Sequence, residues 1–136
     1  MSVNPLHNSF GKQSASVRTQ RVKDLQKILF EGKLIYGQTE IVKKQVLEML
    51  ENAAGYLFDL RQLETIDSTG FGVLINIGKK LKQQNQDMVI IVEDGFVKEL
   101  LYIAKFNLIF PIAGSDEEAY EMLQQDHPTL LGLDEY

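Results

Sequence analysis

Asp67, Ser68 and Thr69 set a carboxylate and two hydroxyls side by side, directly ahead of Gly70-Phe71-Gly72. Positions Phe71, Leu74, Ile75, Gly78 and Leu81 then follow at helical spacing, so the three polar side chains stand where a loop becomes a helix. The first N–H groups of a helix have no partners inside it and carry the positive end of its dipole, which stabilises a nearby anion by about 0.3–1 kcal/mol. A hydroxyl destined to carry a phosphate suits such a junction. Ser68 is the first candidate acceptor and Thr69 the second, while the plain alternative for Ser68 is an ordinary helix cap. Asp67 has two open roles, orienting the acceptor hydroxyl or capping the helix itself. Thr69 is expected to help fix the turn, and Gly70 and Gly72 to let the helix approach a strand.

Asp59 offers a rival chemistry. It sits near the end of the apolar run Tyr56–Leu60, where a response-regulator receiver domain carries the aspartate that accepts a phosphoryl group with Mg²⁺. Such a site needs an acidic pair after the first strand and a lysine after the last. Glu31 is single and followed by Gly32, and Lys105 precedes the last expected strand. A hydrolytic relay around Ser68 lacks its base, because His7 and His127 fall in the expected terminal extensions. The chain has no G-x-S-x-G elbow, Walker A loop or H-E-x-x-H helix. Asp59 and Asp67 are separated by a loop that fixes no catalytic distance, and Lys79-Lys80-Lys82 reads as a solvated helix face. No catalytic residue, metal site or cofactor is expected, and the chain is read as a non-enzyme.

Composition bounds the rest. With 136 residues, 44% hydrophobic and 24% charged, the chain suits one compact domain with a real core. No apolar run is long enough to span a bilayer, and the polar start around Asn4, His7 and Asn8 is unlike a signal peptide, so a cytoplasmic protein is expected. The absence of cysteine excludes disulfides, thiolate zinc sites and cysteine nucleophiles. The net charge of −5 is unevenly spread: residues 1–23 hold Lys12, Arg18, Arg21 and Lys23 without an acid, and residues 115–136 hold seven acids without Lys or Arg. Four dispersed cations without interleaved aromatics do not make a nucleic-acid face.

The elements that must position the junction are legible as an alternation. Residues 1–17 read as a flexible arm, although part of Ser14–Thr19 could form an edge strand. Leu25–Phe30 reads as a strand ending in a bend at Gly32. Thr39 is the expected cap of a helix carrying Ile41, Val42, Val46, Leu47, Met49 and Leu50 inward. Tyr56–Leu60 reads as a buried strand and Gln62–Thr65 as a loop into the Ser68 helix, which stops at Lys82-Gln83-Gln84-Asn85. Met88–Val92 is a β-branched run suited to burial on both faces. A helix with Phe96, Val97, Leu100, Leu101 and Ala104 ends near Asn107, a strand covers Ile109–Ile112, and Ser115 with Glu118 forms a capping box for a last helix. Tyr56, Phe58 and Phe96 are expected in the core or at strand flanks. Residues 126–136 read as a tail in which Leu130, Leu131 and Leu133 could dock. The order implies an α/β domain over residues 18–125, with a mixed four- to five-stranded sheet and about four helices.

Asp67-Ser68-Thr69-Gly70 joined to Phe71-Gly72, after a strand ending Phe58-Asp59-Leu60, resembles the signature of the STAS domain, as found in bacterial anti-sigma factor antagonists. The resemblance runs from about Leu25 to Leu123 and includes Gly32, the Val89–Val92 strand and Ala119. Phe71 stands where the family often has leucine, which keeps an apolar anchor. The resemblance implies that Ser68 is phosphorylated by an anti-sigma factor with serine kinase activity, that the unmodified form binds this kinase, and that a phosphatase is an optional further partner. The partner surface it implies comprises Asp67, Ser68, Thr69, Gly70 and Phe71, with Ile35 and Tyr36 as anchors if they are exposed rather than buried. The alternative is a STAS scaffold subunit of a signalling or transport-associated assembly, without a phosphoswitch. The oligomeric state is not written in the sequence.

Overall fold

The computed structural model describes residues 14–124. Five strands form one sheet in chain order, β1 (Ala15–Val22), β2 (Leu25–Leu34), β3 (Gly55–Ile66), β4 (Met88–Ile91) and β5 (Ile112–Ala113). The β1–β2 hairpin is antiparallel and the other pairs are parallel, so the sheet is mixed. Among the described residues four α-helices accompany the sheet, α1 (Thr39–Met49), α2 (Ser68–Gln83), α3 (Phe96–Ile103) and α4 (Asp116–Gln124). This is the α/β architecture that the alternating pattern implies.

The sheet has two unequal faces. Ile28, Phe30, Phe58, Leu60 and Ile90 point to the larger core, where α1, α2 and α3 contribute Val42, Val46, Leu74, Ile77, Val97 and Leu101. On the other face, among the described residues, α4 covers Leu25, Leu57, Val89 and Ile91, with its own Ala119 fully buried against them. β4 is buried at every position, as expected of a strand enclosed on both sides.

Several elements differ from expectation for identifiable reasons. β3 continues through the expected loop Gln62–Thr65 to Ile66, because β2 also runs on to Leu34 and pairs with it. Gly32 therefore lies inside β2 at φ +91°, beside a register shift, and its missing Cβ leaves room for the carbonyl of Ser14. The segment expected as a strand over Ile109–Ile112 packs Ile109 and Phe110 into the core, and β5 is only Ile112–Ala113. α3 ends at Ile103 ahead of Lys105, which adopts φ +63°, rather than at Asn107. Thr39 is the first helical residue of α1 and not its cap, which is Gln38, and Ile41 faces out. Phe96, expected in the core or at a strand flank, is also exposed. The edge strand starts at Ala15, inside the stretch expected as an arm; residues 1–13 and the tail 126–136 lie outside the described residues.

Candidate functional site

β3 delivers Ile66 to the end of the sheet, and the chain turns at Asp67 into α2. Asp67 is the cap: its backbone is extended at φ −116° and ψ −173°, and its Oδ1 accepts from the N–H of Thr69 at 3.0 Å and of Gly70 at 3.1 Å. The Thr69 hydroxyl donates to the same oxygen at 2.6 Å. The second oxygen, Oδ2, accepts from the Tyr36 N–H at 3.0 Å, which ties the loop after β2 to the start of α2. Burial pushes the Asp67 carboxyl up, but these four donors together hold it below the usual carboxylate range.

Ser68 is the first helical residue and is exposed. Its hydroxyl has no hydrogen-bond partner among the described residues, so the capping role open to it in sequence belongs to Asp67 instead. Thr69 is half-buried with its hydroxyl engaged, which suits fixing the turn and leaves Ser68 as the presented hydroxyl. Gly70 is required by contact: a Cβ there would stand 2.4 Å from the Leu34 carbonyl oxygen and 2.7 Å from Ile66 Cγ1. Gly72 is different, because a Cβ there meets nothing within 4 Å, so close packing does not explain it. Phe71 is half-buried with its ring centroid 5.1 Å from that of Phe106, and so anchors the first turn of α2. A further close approach lay unread in the sequence at Gly78, where a Cβ would meet the Phe110 ring at 2.7 Å.

The structure brings Tyr36 to this junction with its side chain 83% exposed, whereas Ile35 is half-buried. Ile41, in the first turn of α1, adds an exposed apolar side chain that its place in the helical stripe concealed. The result is a carboxylate-capped helix start with a free serine hydroxyl, beside an exposed tyrosine.

Asp59 is placed for something else. It is 4% exposed, and both its oxygens are taken by the Arg61 side chain, Nε to Oδ1 at 2.9 Å and Nη2 to Oδ2 at 2.8 Å. The Arg61 N–H also donates to Oδ1, and Lys27 Nζ lies 3.9 Å from Oδ2. Lys27 and Arg61 each reach on to Asp116 at 2.9 Å, at the start of α4. Burial raises the Asp59 carboxyl, yet the hydrogen bonds and charge of Arg61, with Lys27, leave it lowered, and Asp59 in turn holds Arg61 even more firmly protonated. Two cations and two carboxylates here neutralise one another across β2, β3 and α4. Among the described residues no cluster of three or more His, Asp or Glu side chains could hold a metal ion. A receiver-type acceptor needs an accessible carboxylate beside such a cluster, so the geometry does not favour that role for Asp59.

Comparison with known proteins agrees with the fold. The STAS domain family model matches residues 16–119. BtrV of Bordetella bronchiseptica, named as an anti-sigma factor antagonist, is 35% identical over 63 residues, which cover 46% of this chain and 54% of that protein. The match thus spans about half the length of the curated relative. The crystal structure of an anti-sigma factor antagonist from Mycobacterium paratuberculosis superposes with a TM-score of 0.75 at 11% identity, covering 83% of this chain and 97% of that one. A Thermotoga maritima protein named as an anti-sigma factor antagonist gives a TM-score of 0.70 at 21% identity, covering 80% and 95%. At these identities the two superpositions speak for the shared fold.

Proposed function

The chain belongs to the STAS domain family, and on that premise we propose that it is an anti-sigma factor antagonist whose Ser68 is a phosphorylation switch. It binds an anti-sigma factor with serine kinase activity while Ser68 is unmodified, and it is released when that kinase phosphorylates Ser68. It acts in the cytoplasm and has no catalytic activity of its own. Among the described residues no helix is long and apolar enough to cross a membrane.

The observation that carries this proposal is the division of labour at the start of α2. Asp67 caps the helix, so the Ser68 hydroxyl is free for another protein to use. A phosphoryl group on Ser68 brings about −1.5 to −2 charges. The N-terminus of α2 tolerates that charge in the free protein. Across an interface shaped for a neutral hydroxyl, the same charge must be desolvated next to the Asp67 carboxylate. A penalty of about 1.4–4 kcal/mol there weakens association tenfold to nearly a thousandfold. Phosphorylation thereby changes binding while leaving the fold intact. The footprint comprises Asp67–Phe71 with Tyr36 as the exposed anchor and half-buried Ile35 next to it in the chain.

The test is incubation with ATP and the host's candidate anti-sigma kinase, followed by peptide mass mapping. Phosphate on Ser68 is expected, with Thr69 far behind because Asp67 holds its hydroxyl. An active kinase that leaves both residues unmodified overturns the switch. The scaffold alternative, in which Ser68 is purely structural, draws no support from a serine that neither caps the helix nor packs.

A further inference from the structure

Gly70 and Gly72 stand two residues apart in the first turns of α2, and the fold accounts for only one of them. Gly70 is pressed against Leu34 and Ile66. Gly72 is exposed, lies inside a regular helix without a positive φ, and has open space where a Cβ would stand, with nothing within 4 Å. Neither backbone strain nor internal packing calls for glycine there. Within a helix glycine is the least favourable residue after proline, because fixing it gives up the most backbone freedom. Position 72 thus forgoes stability for which the interior of the molecule shows no reason.

Its place relative to Ser68 supplies one. Residues four apart share a helix face, so Gly72 lies one turn along from Ser68, on the side that Ser68 presents to solvent. Half-buried Ile75 and exposed Lys79 continue the same face. At Gly72 that face shows bare main chain. Helical side chains lean toward the helix N-terminus, so any side chain at position 72 would lean over the turn that carries the Ser68 hydroxyl.

We propose that Gly72 is a specificity-determining residue of the Ser68 site, whose missing side chain lets a main-chain segment of the anti-sigma kinase lie directly against the first turns of α2. This role presupposes the Ser68 switch and specifies what the kinase brings to it. The partner meets α2 with a close-fitting loop, not with long side chains that reach from a distance. A side chain at position 72 holds that loop off, and the Ser68 hydroxyl behind it becomes harder to reach. Glycine is kept here for the complex, at the expense of the free protein's stability.

Gly72→Ala and Gly72→Leu in the full chain, each melted and then titrated calorimetrically into the anti-sigma kinase that modifies the wild type, test this. Both replacements are strong helix formers in open space, so melting is expected to rise by about 2–5 °C with alanine and not to fall with leucine. Affinity is expected to drop about tenfold with alanine and at least about a hundredfold with leucine, in order of size. A glycine needed by the fold gives the opposite sign of melting, and lower melting of Gly72→Ala overturns the proposal. Equal losses of affinity with alanine and leucine overturn it too, because they trace to a stiffer helix and not to a blocked approach. Where the wild type binds the kinase and both variants bind as tightly, the role of Gly72 falls and the Ser68 switch stands. A wild type that binds no anti-sigma kinase overturns both.

Discussion

Asp59 and Asp67 are two carboxylates on the same stretch of chain, both held below their ordinary titration range, and they are put to opposite uses. Asp59 is buried and surrounded by cations, Arg61 at 2.8 Å and Lys27 at 3.9 Å, which bind three elements together. Asp67 stands at the rim and is met by neutral donors, three N–H groups and the Thr69 hydroxyl. The first arrangement consumes every group it contains. The second satisfies the helix start with a side chain one residue earlier, and so leaves the Ser68 hydroxyl unspent. The contrast teaches that a reactive-looking acid at a strand end can be entirely structural, while the functional residue is the one whose hydrogen bonding a neighbour has taken over.

Four substitutions or titrations test the contrast, from the largest effect on stability to the smallest. Asp59→Asn leaves Lys27 and Arg61 with Asp116 alone, and is expected to cost about 3 kcal/mol in urea unfolding, the lower end for breaking a buried ion pair because one carboxylate remains. A loss under about 1 kcal/mol, the scale of exposed pairs, breaks the comparison. Asp67→Ala removes the cap and the tether to Tyr36, with an expected loss of about 1–2 kcal/mol. Acidification sharpens the same point. Both folded carboxyls titrate below their unfolded values, so their stabilisation is complete above about pH 4 and is lost as pH falls through the folded values. Melting temperatures between neutral pH and about pH 3 are expected to fall less in Asp67→Asn than in the wild type. Ser68→Ala is expected to change unfolding free energy by less than about 0.5 kcal/mol, as for a surface site without partners. A larger loss would return Ser68 to a structural role.

Much of this arrangement is legible in sequence where pattern and physics coincide. The stripe through Leu74, Gly78 and Leu81 places α2, and the β-branched run Val89–Val92 places β4, because each periodicity is enforced by burial. Ser115 behaves as the spacing implies, its Oγ accepting from the Glu118 N–H at 3.2 Å, whereas Glu118 reaches one residue past the expected capping-box donor and accepts from the Gly114 N–H at 2.7 Å. The extension of β3 is hidden, since Gln62–Thr65 is polar and its strand character comes from pairing with β2. Exposure of Ile41 and Phe96 is hidden for a related reason: both sit next to residues that do bury, Val42 and Val97, and hydrophobicity alone does not reveal which neighbour faces in. At the junction, Asp67 and Ser68 are equally good caps by type, and only the backbone at Asp67 decides between them. The Asp59–Arg61 pair had a readable clue, two residues apart on one face of a strand. Its closure by Lys27 and Asp116 depends on sheet register and on the seat of α4, which no local pattern carries.

The most direct test of the central claim, that Ser68 controls association without supporting the fold, is a calorimetric titration of wild type and Ser68→Asp into the anti-sigma kinase, with both proteins melted alongside. Affinity at least about tenfold weaker is expected for the variant, about 1.4 kcal/mol, with unchanged melting. Equal affinity of the two proteins would contradict it.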